Sequence, residues 1–184
     1  MFMMLAVSFA VSTAVFVTYF GVSLRIWRIS EQLDVPFITT PVAALPLIEA
    51  KLDIQDRDVV YDLGCGDGRL LFYCAKRHPT ARFIGIELNP ILIAWMRLRK
   101  FATRAHNVEL RQEDILRTNF SDATKVYAFL LQHVIARFYS THKLHSMRLL
   151  SRAFRINGLV PIESFRITPY DTLNDAHLVH VYDL

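Results

Sequence analysis

A glycine-rich loop constrains the fold of this chain more than any other feature of its sequence. In VYDLGCGDGRLL (residues 60–71), three glycines at alternate positions follow a short apolar run and precede a helix-like pattern. Such a loop joins the carboxyl end of a strand to a helix, and open α/β sheets bind ligands at that end of their strands. The loop therefore predicts an α/β fold with a ligand site beside these glycines.

Strand-like and helix-like segments alternate along the rest of the chain. Strands are predicted in DVVYDLG, ARFIGIEL, NVELRQED, KVYAFLLQ, GLVPIESFRI and HLVHVYDL. Helices are predicted in LLFYCAKRHP, PILIAWMRLRKFATRA and VIARFYSTHKLHSMRLLSRAF, and near residues 42–52 with Thr40 as N-cap and Pro41 at the first helical position. This order predicts an α/β fold of the doubly wound, Rossmann-like kind, with a mostly parallel sheet and helices on both faces.

The first 24 residues carry no charged side chain. As a helix they extend about 36 Å, against a hydrocarbon core of about 30 Å. Arg25 and Arg28 follow the apolar run, and basic residues on that side of a span keep the following chain in the cytoplasm. We therefore predict a single-pass transmembrane helix over residues 1–28, a linker over 29–41 and a cytoplasmic domain over 42–184. A cleaved signal peptide and a buried or peripheral helix are the alternatives.

Cysteine, histidine and charge content exclude some classes of protein and leave others open. Cys65 and Cys74 match no zinc spacing and no disulfide framework, so we expect two reduced, structural thiols. Histidine pairs lie three residues apart at 142 and 145 and at 177 and 180, but no further cysteine or carboxylate completes a ligand set, so no metal site is predicted. A net charge of +4 fits an anionic membrane surface as well as nucleic acid.

Asp67 argues against a dinucleotide at the glycine loop. In G-x-G-x-x-G the third glycine comes one residue later than it does here, where Arg69 takes its place. A pyrophosphate needs bare backbone N–H groups at the start of the helix, and the carboxylate of Asp67 would repel it. S-adenosylmethionine (SAM) carries a sulfonium and an ammonium group and no phosphate. Asp62 and Asp67 would place negative charge beside it, while the glycines let the backbone approach its methionine end.

Two further acids fit the same ligand. Glu87 ends the second predicted strand, 19 residues beyond Gly68, and is placed to accept hydrogen bonds from both ribose hydroxyls. Asp114 ends the third predicted strand and is placed to accept from the adenine amino group, with Ile115 packed on the ring. A single acid at a strand end is commonly solvated or capping, but four acids around one glycine loop favour a SAM site.

The motifs DLGCGDG, GIELNP and QEDI stand in the order and spacing of the class I (seven-strand) SAM-dependent methyltransferases, which the chain resembles from about Thr39 to Leu184. More narrowly, TTP, YDLGCGDGRLL, IELNPILIAWMRLR and HVYDL, behind an apolar N-terminal segment, resemble the protein-lysine methyltransferases of the adenine nucleotide translocase and the ATP synthase c-subunit, and their small prokaryotic relatives. The resemblance implies SAM as cofactor. The expected cofactor-binding residues are Thr40, Asp62, Gly64, Cys65, Gly66, Asp67, Gly68, Glu87, Leu88, Asn89, Asp114 and Ile115.

Gln132 and His133, just past the fourth predicted strand, are the polar residues best placed to orient a substrate amine or accept its proton. The expected substrate is a lysine of a membrane-associated protein, with the bilayer as a second partner. A lipid-soluble small molecule as acceptor, and a non-catalytic SAM-binding assembly factor, are the alternatives. Nucleic acid is not expected, because LLQHV stands where an Asn-Pro-Pro-Tyr-like signature would follow the fourth strand. A basic run on the second helix of the α/β pattern indicates a solvated helix face, contact with anionic lipid or an acidic substrate, or contact with RNA; it consists of Arg97, Arg99, Lys100 and Arg104.

Overall fold

The computed structural model describes residues 2–32, 38–142, 144–168 and 175–184. The chain divides into two compact units, Met1–Ile38 and Thr39–Leu184. The first unit contains one helix, α1 (Phe2–Gln32), and the second contains every strand of the described chain. Its helices are α2 (Leu45–Leu52), α3 (Arg69–Arg77), α4 (Pro90–Thr103) and α5 (Gln132–Thr141). Its strands are β1 (Val59–Leu63), β2 (Arg82–Ile86), β3 (Val108–Arg111), β4 (Lys125–Ala128), β5 (Arg148–Arg152), β6 (Glu163–Arg166) and β7 (Leu178–Asp183).

Helix α1 covers the segment predicted as a transmembrane helix. It runs on to Gln32, within the stretch predicted as linker, while linker residues 33–37 lie outside the described residues. Large apolar side chains along it are exposed, among them Phe9, Val15 and Phe16. Within the described part of the chain, no helix has both the length and the apolar character that a membrane crossing requires. The transmembrane prediction is therefore not confirmed.

The seven strands form one sheet in the order β3-β2-β1-β4-β5-β7-β6. Strands β1 to β5 pair in parallel, whereas β7 runs antiparallel to both β5 and β6. The carboxyl ends of the parallel strands thus meet at one edge of the sheet, and the chain order reverses between β1 and β4. The predicted α/β, mostly parallel, Rossmann-like sheet is confirmed, and its switch point lies where such sheets bind ligands.

Helices cover the two faces of the sheet unequally. Side chains of α2, α3 and α4 pack with Val60, Phe83 and Tyr127 in one apolar cluster. Helix α5 packs with Tyr61 and Leu63 in a second cluster on the opposite face. Because side chains alternate along a strand, Asp62 lies on the same face as Val60 and Tyr127. The polar site residues of β1 and β4 therefore share the face that α2 and α3 cover.

The long helix predicted in VIARFYSTHKLHSMRLLSRAF is wrong in its second half. Helix α5 ends at Thr141, and strand β5 occupies Arg148–Arg152 between β4 and β7. Both faces of β5 are covered, so Leu149, Leu150 and Ser151 are all buried and the alternation typical of a half-exposed strand is missing. His142 and His145 accordingly do not share a helix face.

The predicted capping role of Thr40 is also wrong. A single 3-10 turn, Val42–Ala44, precedes α2, and neither segment has a side-chain cap. The Thr40 hydroxyl lies 3.0 Å from the hydroxyl of Tyr127 instead. Because Thr40 is buried against β4, its oxygen is used in a tertiary contact rather than at the helix end.

Candidate active site

The glycine loop between β1 and α3 has a left-handed backbone at each of its glycines. Gly64, Gly66 and Gly68 have φ values of 67°, 58° and 70°. Residues with a side chain rarely adopt these backbone angles, so glycines at alternate positions allow the loop to turn sharply from β1 into α3. Gly64 itself is exposed, which leaves the backbone open to a ligand.

Close packing under the loop adds a second reason for small residues here. A Cβ atom on Gly68 would lie 2.8 Å from Met96 Sδ, and one on Gly85 would lie 2.8 Å from both Cys65 Sγ and Leu71 Cδ2. Overpacking of this kind costs roughly 1–3 kcal/mol. Cys65 is buried under the loop, and burial raises the pKa of its thiol well above the ordinary value. It therefore packs beneath the cofactor loop as a neutral thiol.

Glu87, just past the end of β2, connects the glycine loop to the start of α4. Its two carboxylate oxygens accept hydrogen bonds of 2.9 Å from the backbone N–H groups of Gly66 and Asn89. Asn89 in turn caps α4, with Oδ1 accepting from the N–H of Ile91 at 3.0 Å. Its buried amide nitrogen has no hydrogen-bond partner among the described residues. Leu88 is exposed between them, so the segment offers a carboxylate, an apolar side chain and a free donor to a ligand.

Asp62 is an acid buried beside two others. It is 5% exposed, and burial together with the charges of Glu87 and Asp67 raises its pKa from 3.8 to about 8. No basic side chain within the described residues forms an ion pair with Asp62 or Glu87. A cationic ligand would therefore favour the charged form of Asp62 and lower its pKa.

Asp67 differs from these acids because it forms an ion pair with a basic side chain. Its carboxylate accepts hydrogen bonds from Arg69 Nη2 at 2.6 Å and from Arg69 Nε at 3.0 Å. Arg69 also donates to the backbone carbonyl of Thr40 at 2.9 Å. The negative charge of Asp67 is thus largely balanced, and the pair ties the glycine loop to the segment before α2. Asp67 contributes less free charge to the site than its position in the sequence predicts.

Asp114 and Ile115 lie in a turn just past β3. One carboxylate oxygen of Asp114 accepts from the N–H of Leu116 at 2.9 Å, which leaves the other oxygen available. The carbonyl of Ile115 accepts a 2.8 Å hydrogen bond from His142 Nε2 at the end of α5. This hydrogen bond from His142 fixes the turn to the end of α5. The sequence offered no signal for this role. Ile115 is buried in the apolar cluster on the α5 face, so Asp114 is the more accessible of the two residues, and an adenine contact stays a prediction.

Gln132 and His133 open α5, past the end of β4. Gln132 Nε2 donates to the carbonyl of Arg155 at 3.1 Å, so its amide joins α5 to the loop after β5. His133 is exposed. A catalytic role for either residue stays a prediction.

Arg152, at the end of β5, is a polar group that the sequence analysis missed. It is 3% exposed, donates to Thr40 Oγ1 at 3.1 Å and to the carbonyl of Ala176 at 2.9 Å, and lies 4.0 Å from the ring centre of Phe129. Burial lowers its pKa, and none of the described carboxylates pairs with it. The cluster of Thr40, Tyr127, Phe129 and Arg152, named here the acceptor-side cluster, borders the ends of β4 and β5.

The arrangement fits SAM better than any phosphate-containing cofactor. Glu87 supplies negative charge without a basic partner, and Asp62 can add a second charge by releasing its proton. The glycine loop supplies approachable backbone, and Asp114 keeps one carboxylate oxygen for a ligand. These residues occupy successive carboxyl ends of β1, β2 and β3 at the switch point of the sheet. Such a fold and site define a class I SAM-dependent methyltransferase.

Comparison with known proteins agrees with that class. The model of the ANTKMT methyltransferase domain family matches residues 62–163. The chain is 29% identical over 157 residues to a protein-lysine N-methyltransferase of Saccharolobus islandicus, covering 80% of this chain and 92% of that protein. It is 28% identical over 99 residues to the Homo sapiens lysine N-methyltransferase of the ATP synthase c-subunit, covering 53% of this chain and 41% of that protein. An RNA methyltransferase from Salinibacter ruber bound to S-adenosyl-L-homocysteine has a TM-score of 0.66 at 29% identity, covering 79% of this chain and 92% of that chain.

This chain belongs to the ANTKMT methyltransferase domain family, because the family model matches more than half of it. It is a SAM-dependent methyltransferase. The resemblance stated from the motifs is thereby confirmed, as is the prediction of SAM as cofactor.

Proposed function

We propose that this enzyme transfers the methyl group of SAM to the side-chain amine of a lysine in a membrane-associated protein. The relative that matches over 92% of its own length is named a protein-lysine N-methyltransferase, and this observation carries the proposal. A second relative is named for lysine methylation of the ATP synthase c-subunit. Both names support a lysine acceptor.

The acceptor-side cluster supports an amine as nucleophile. A lysine amine reacts only after losing its proton, and its ordinary pKa is about 10.4. Phe129 is half-buried and offers an apolar approach, and the guanidinium of Arg152, which pairs with no acid among the described residues, disfavours a second positive charge nearby. Both effects lower the pKa of an entering lysine and favour its neutral, nucleophilic form.

The residues around the cofactor act by positioning. Glu87 and Asp114 would hold the ribose and the adenine of SAM, and Asp62 would lie beside its cationic methionine end. When bound, SAM would supply a methyl group on a positively charged sulfur, and the neutral Nζ of the lysine would form the new C–N bond while the electron pair of the broken C–S bond goes to sulfur. An in-line arrangement of amine, carbon and sulfur accounts for about 7–11 kcal/mol of the barrier in such reactions. The proton that the lysine loses before this step passes to solvent.

A position at the cytoplasmic face of a membrane is part of the same proposal. Helix α1 has no charged residue before Arg25, and the described apolar side chains on it are exposed. Arg25 and Arg28 follow this apolar stretch and would keep the second unit, Thr39–Leu184, in the cytoplasm. Acceptors close to the bilayer are therefore favoured over free metabolites.

The test is methyl transfer from labelled SAM to isolated membranes. The full chain and its Glu87→Ala variant are incubated with membranes, and label is then measured in protein, lipid extract and RNA. We expect label on protein, recovered as methyl-lysine, and little label with the variant. Glu109→Ala, which removes an acid from the neighbouring strand β3, is the matched control and should methylate normally.

Each other distribution of label contradicts the proposal in a different way. Label confined to the lipid extract would identify a lipid-soluble acceptor, and label confined to RNA would agree with the name of the Salinibacter ruber neighbour. Binding of SAM without any transfer would identify an assembly factor. Mass spectrometry of the membrane proteome with and without the protein then identifies the modified lysine.

A further inference from the structure

Helix α4 has an apolar outer face in addition to its buried one. Leu92, Ile93 and Met96 face the sheet and are buried. Three large apolar residues on the other side are solvent-exposed, each three residues from the next: Trp95 is 56% exposed, Leu98 60% and Phe101 84%. A surface helix normally presents polar side chains outward, so a continuous exposed row of this kind marks an interaction surface.

Basic residues flank this apolar row. Arg97, Lys100 and Arg104 border a surface depression of about 670 Å³ that also includes Phe101. No ion pair joins any of these three cations to an acid in the described residues. Arg99 differs, because it stacks on Phe72 at 4.7 Å and donates to the carbonyl of Asp67. The outer surface of α4 therefore combines apolar side chains with basic ones that form no ion pair in the described residues. It is defined here by Trp95, Leu98, Phe101, Arg97, Lys100 and Arg104.

The chemistry of this surface selects its partner. A second copy of the chain would bring like charges together across a symmetric contact. An acidic protein would account for the cations, but it would not require three large apolar residues in one row. Basic side chains beside tryptophan, leucine and phenylalanine on one helix are typical of helices that lie in the interface of an anionic bilayer.

We propose that the outer surface of α4 docks on anionic phospholipid membranes. Trp95, Leu98 and Phe101 enter the headgroup region, and Arg97, Lys100 and Arg104 contact lipid phosphates. The contact requires neither α1 nor a lysine acceptor. Because α4 begins next to Asn89, docking holds the cofactor site beside the membrane surface.

The catalytic unit allows a direct test. Residues 39–184 contain the whole sheet and both apolar clusters, so this unit has a complete core of its own. The chain has two tryptophans, Trp27 and Trp95, so Trp95 is the sole tryptophan of this unit and its fluorescence reports on the proposed surface. The unit is mixed with vesicles of phosphatidylglycerol and phosphatidylcholine, and separately with vesicles of phosphatidylcholine alone.

We expect a blue shift of Trp95 emission and co-sedimentation with the anionic vesicles only, both weakened by salt. Replacing Arg97, Lys100 and Arg104 together by glutamine should weaken binding roughly 100-fold, because each basic residue near an anionic surface contributes about a factor of five. Leu98→Ala with Phe101→Ala should reduce both signals. The matched control replaces Arg57, Lys76 and Arg137, which are exposed elsewhere on the unit, by glutamine.

Three results would overturn the proposal. They are unchanged Trp95 emission with both kinds of vesicle, equal weakening by the two triple substitutions, and a lipid-independent emission shift that follows protein concentration. SAM binding, measured on the same variants, should stay at the wild-type level. A lysine acceptor can fail in the transfer assay while the vesicle result stands, so the two proposals are tested separately.

Discussion

Charged side chains are paired at one end of the parallel strands and unpaired at the other. The amino edge is the end at which the parallel strands begin, and the carboxyl edge is the end at which they finish. At the amino edge the charges are paired: Arg82 bridges Glu109 and Asp122 at 3.0 Å and 3.4 Å, and Arg148 forms two hydrogen bonds with Asp183 at 2.8 Å and 3.0 Å. At the carboxyl edge, Asp62 and Glu87 share a small volume without a basic partner in the described chain, and Arg152 is buried without an acid.

The amino edge therefore contributes to stability, whereas the carboxyl edge is suited to binding a ligand. The paired amino edge makes a small contribution to stability, since exposed ion pairs give about 0–1 kcal/mol each. The unpaired carboxyl edge costs stability and is maintained by the surrounding packing, as is common where binding sites lie. Charge imbalance at one end of a sheet thus indicates a site that a ligand of opposite charge completes.

The largest expected effect concerns Asp62. Its pKa is about 8 in the folded chain against 3.8 as an ordinary value, so its contribution to stability is present below pH 4 and lost as pH rises toward 8. We expect ligand-free residues 39–184 to lose on the order of 3–5 kcal/mol of unfolding free energy from this group across that window. In Asp62→Asn the loss should be much smaller, as measured by denaturant unfolding at several pH values. Asp56→Asn, an exposed acid, is the control, and equal pH slopes in all three proteins would contradict the prediction.

Binding of SAM should also change the protonation of Asp62. A cation beside Asp62 favours its charged form, so binding near pH 7 should release a proton from the wild type. Calorimetry in two buffers with different ionisation enthalpies measures that proton directly. Asp62→Asn should bind SAM without it.

Glu87 comes next in expected effect. In Glu87→Gln an amide NH₂ would face the N–H of Gly66 or of Asn89, and the charge beside the ligand would be lost. We expect SAM affinity to fall by about 1.5–3 kcal/mol, which is roughly 10- to 150-fold. Glu109→Gln makes the same change at the amino edge and should leave affinity within about twofold of the wild type. Calorimetric titration compares the two, and a similar loss in both would remove Glu87 from the site.

The sequence carries a direct signal for the turn and the strand ends at the cofactor edge and little signal for the acceptor edge. Gly64, Gly66 and Gly68 are needed for a turn within five residues, so the sequence carries the signal directly. Glu87 follows a strand whose end is easy to recognise. Arg152 contacts Thr40 and Phe129, which lie far from it along the chain. No local sequence pattern predicts contacts of this kind.

Strand β5 was missed for a related reason. It lies between β4 and β7 with both faces covered, so its apolar residues form a continuous run that continues the helical pattern of α5. The free charge of Asp67 was overestimated, because the sequence does not show that the guanidinium of Arg69 forms an ion pair with it. Tertiary contacts decided each of these cases.

Arg152→Met should have a smaller effect, confined to the acceptor side. The guanidinium lowers the pKa of an entering lysine, so its removal should raise the apparent pKa in the pH profile of kcat/KM by about one unit, equivalent to about 1.4 kcal/mol. SAM affinity should change little. Arg155→Met, which removes an exposed cation from the following loop, is the control. An unchanged pH profile in Arg152→Met would show that Arg152 only packs against Phe129 and Thr40.

The smallest effect is expected at the amino edge. Arg82 is exposed by 51% of its side-chain area, so solvent screens its pairs with Glu109 and Asp122. Arg82→Gln should lower the free energy of unfolding by about 0.5 kcal/mol at low salt and by less at high salt, because added ions screen exposed charges. SAM affinity should be unaltered, since the two edges are separated by the length of the strands. A loss of SAM affinity in this variant would mean that the two edges are coupled, and the division of the sheet into a stabilising edge and a binding edge would be wrong.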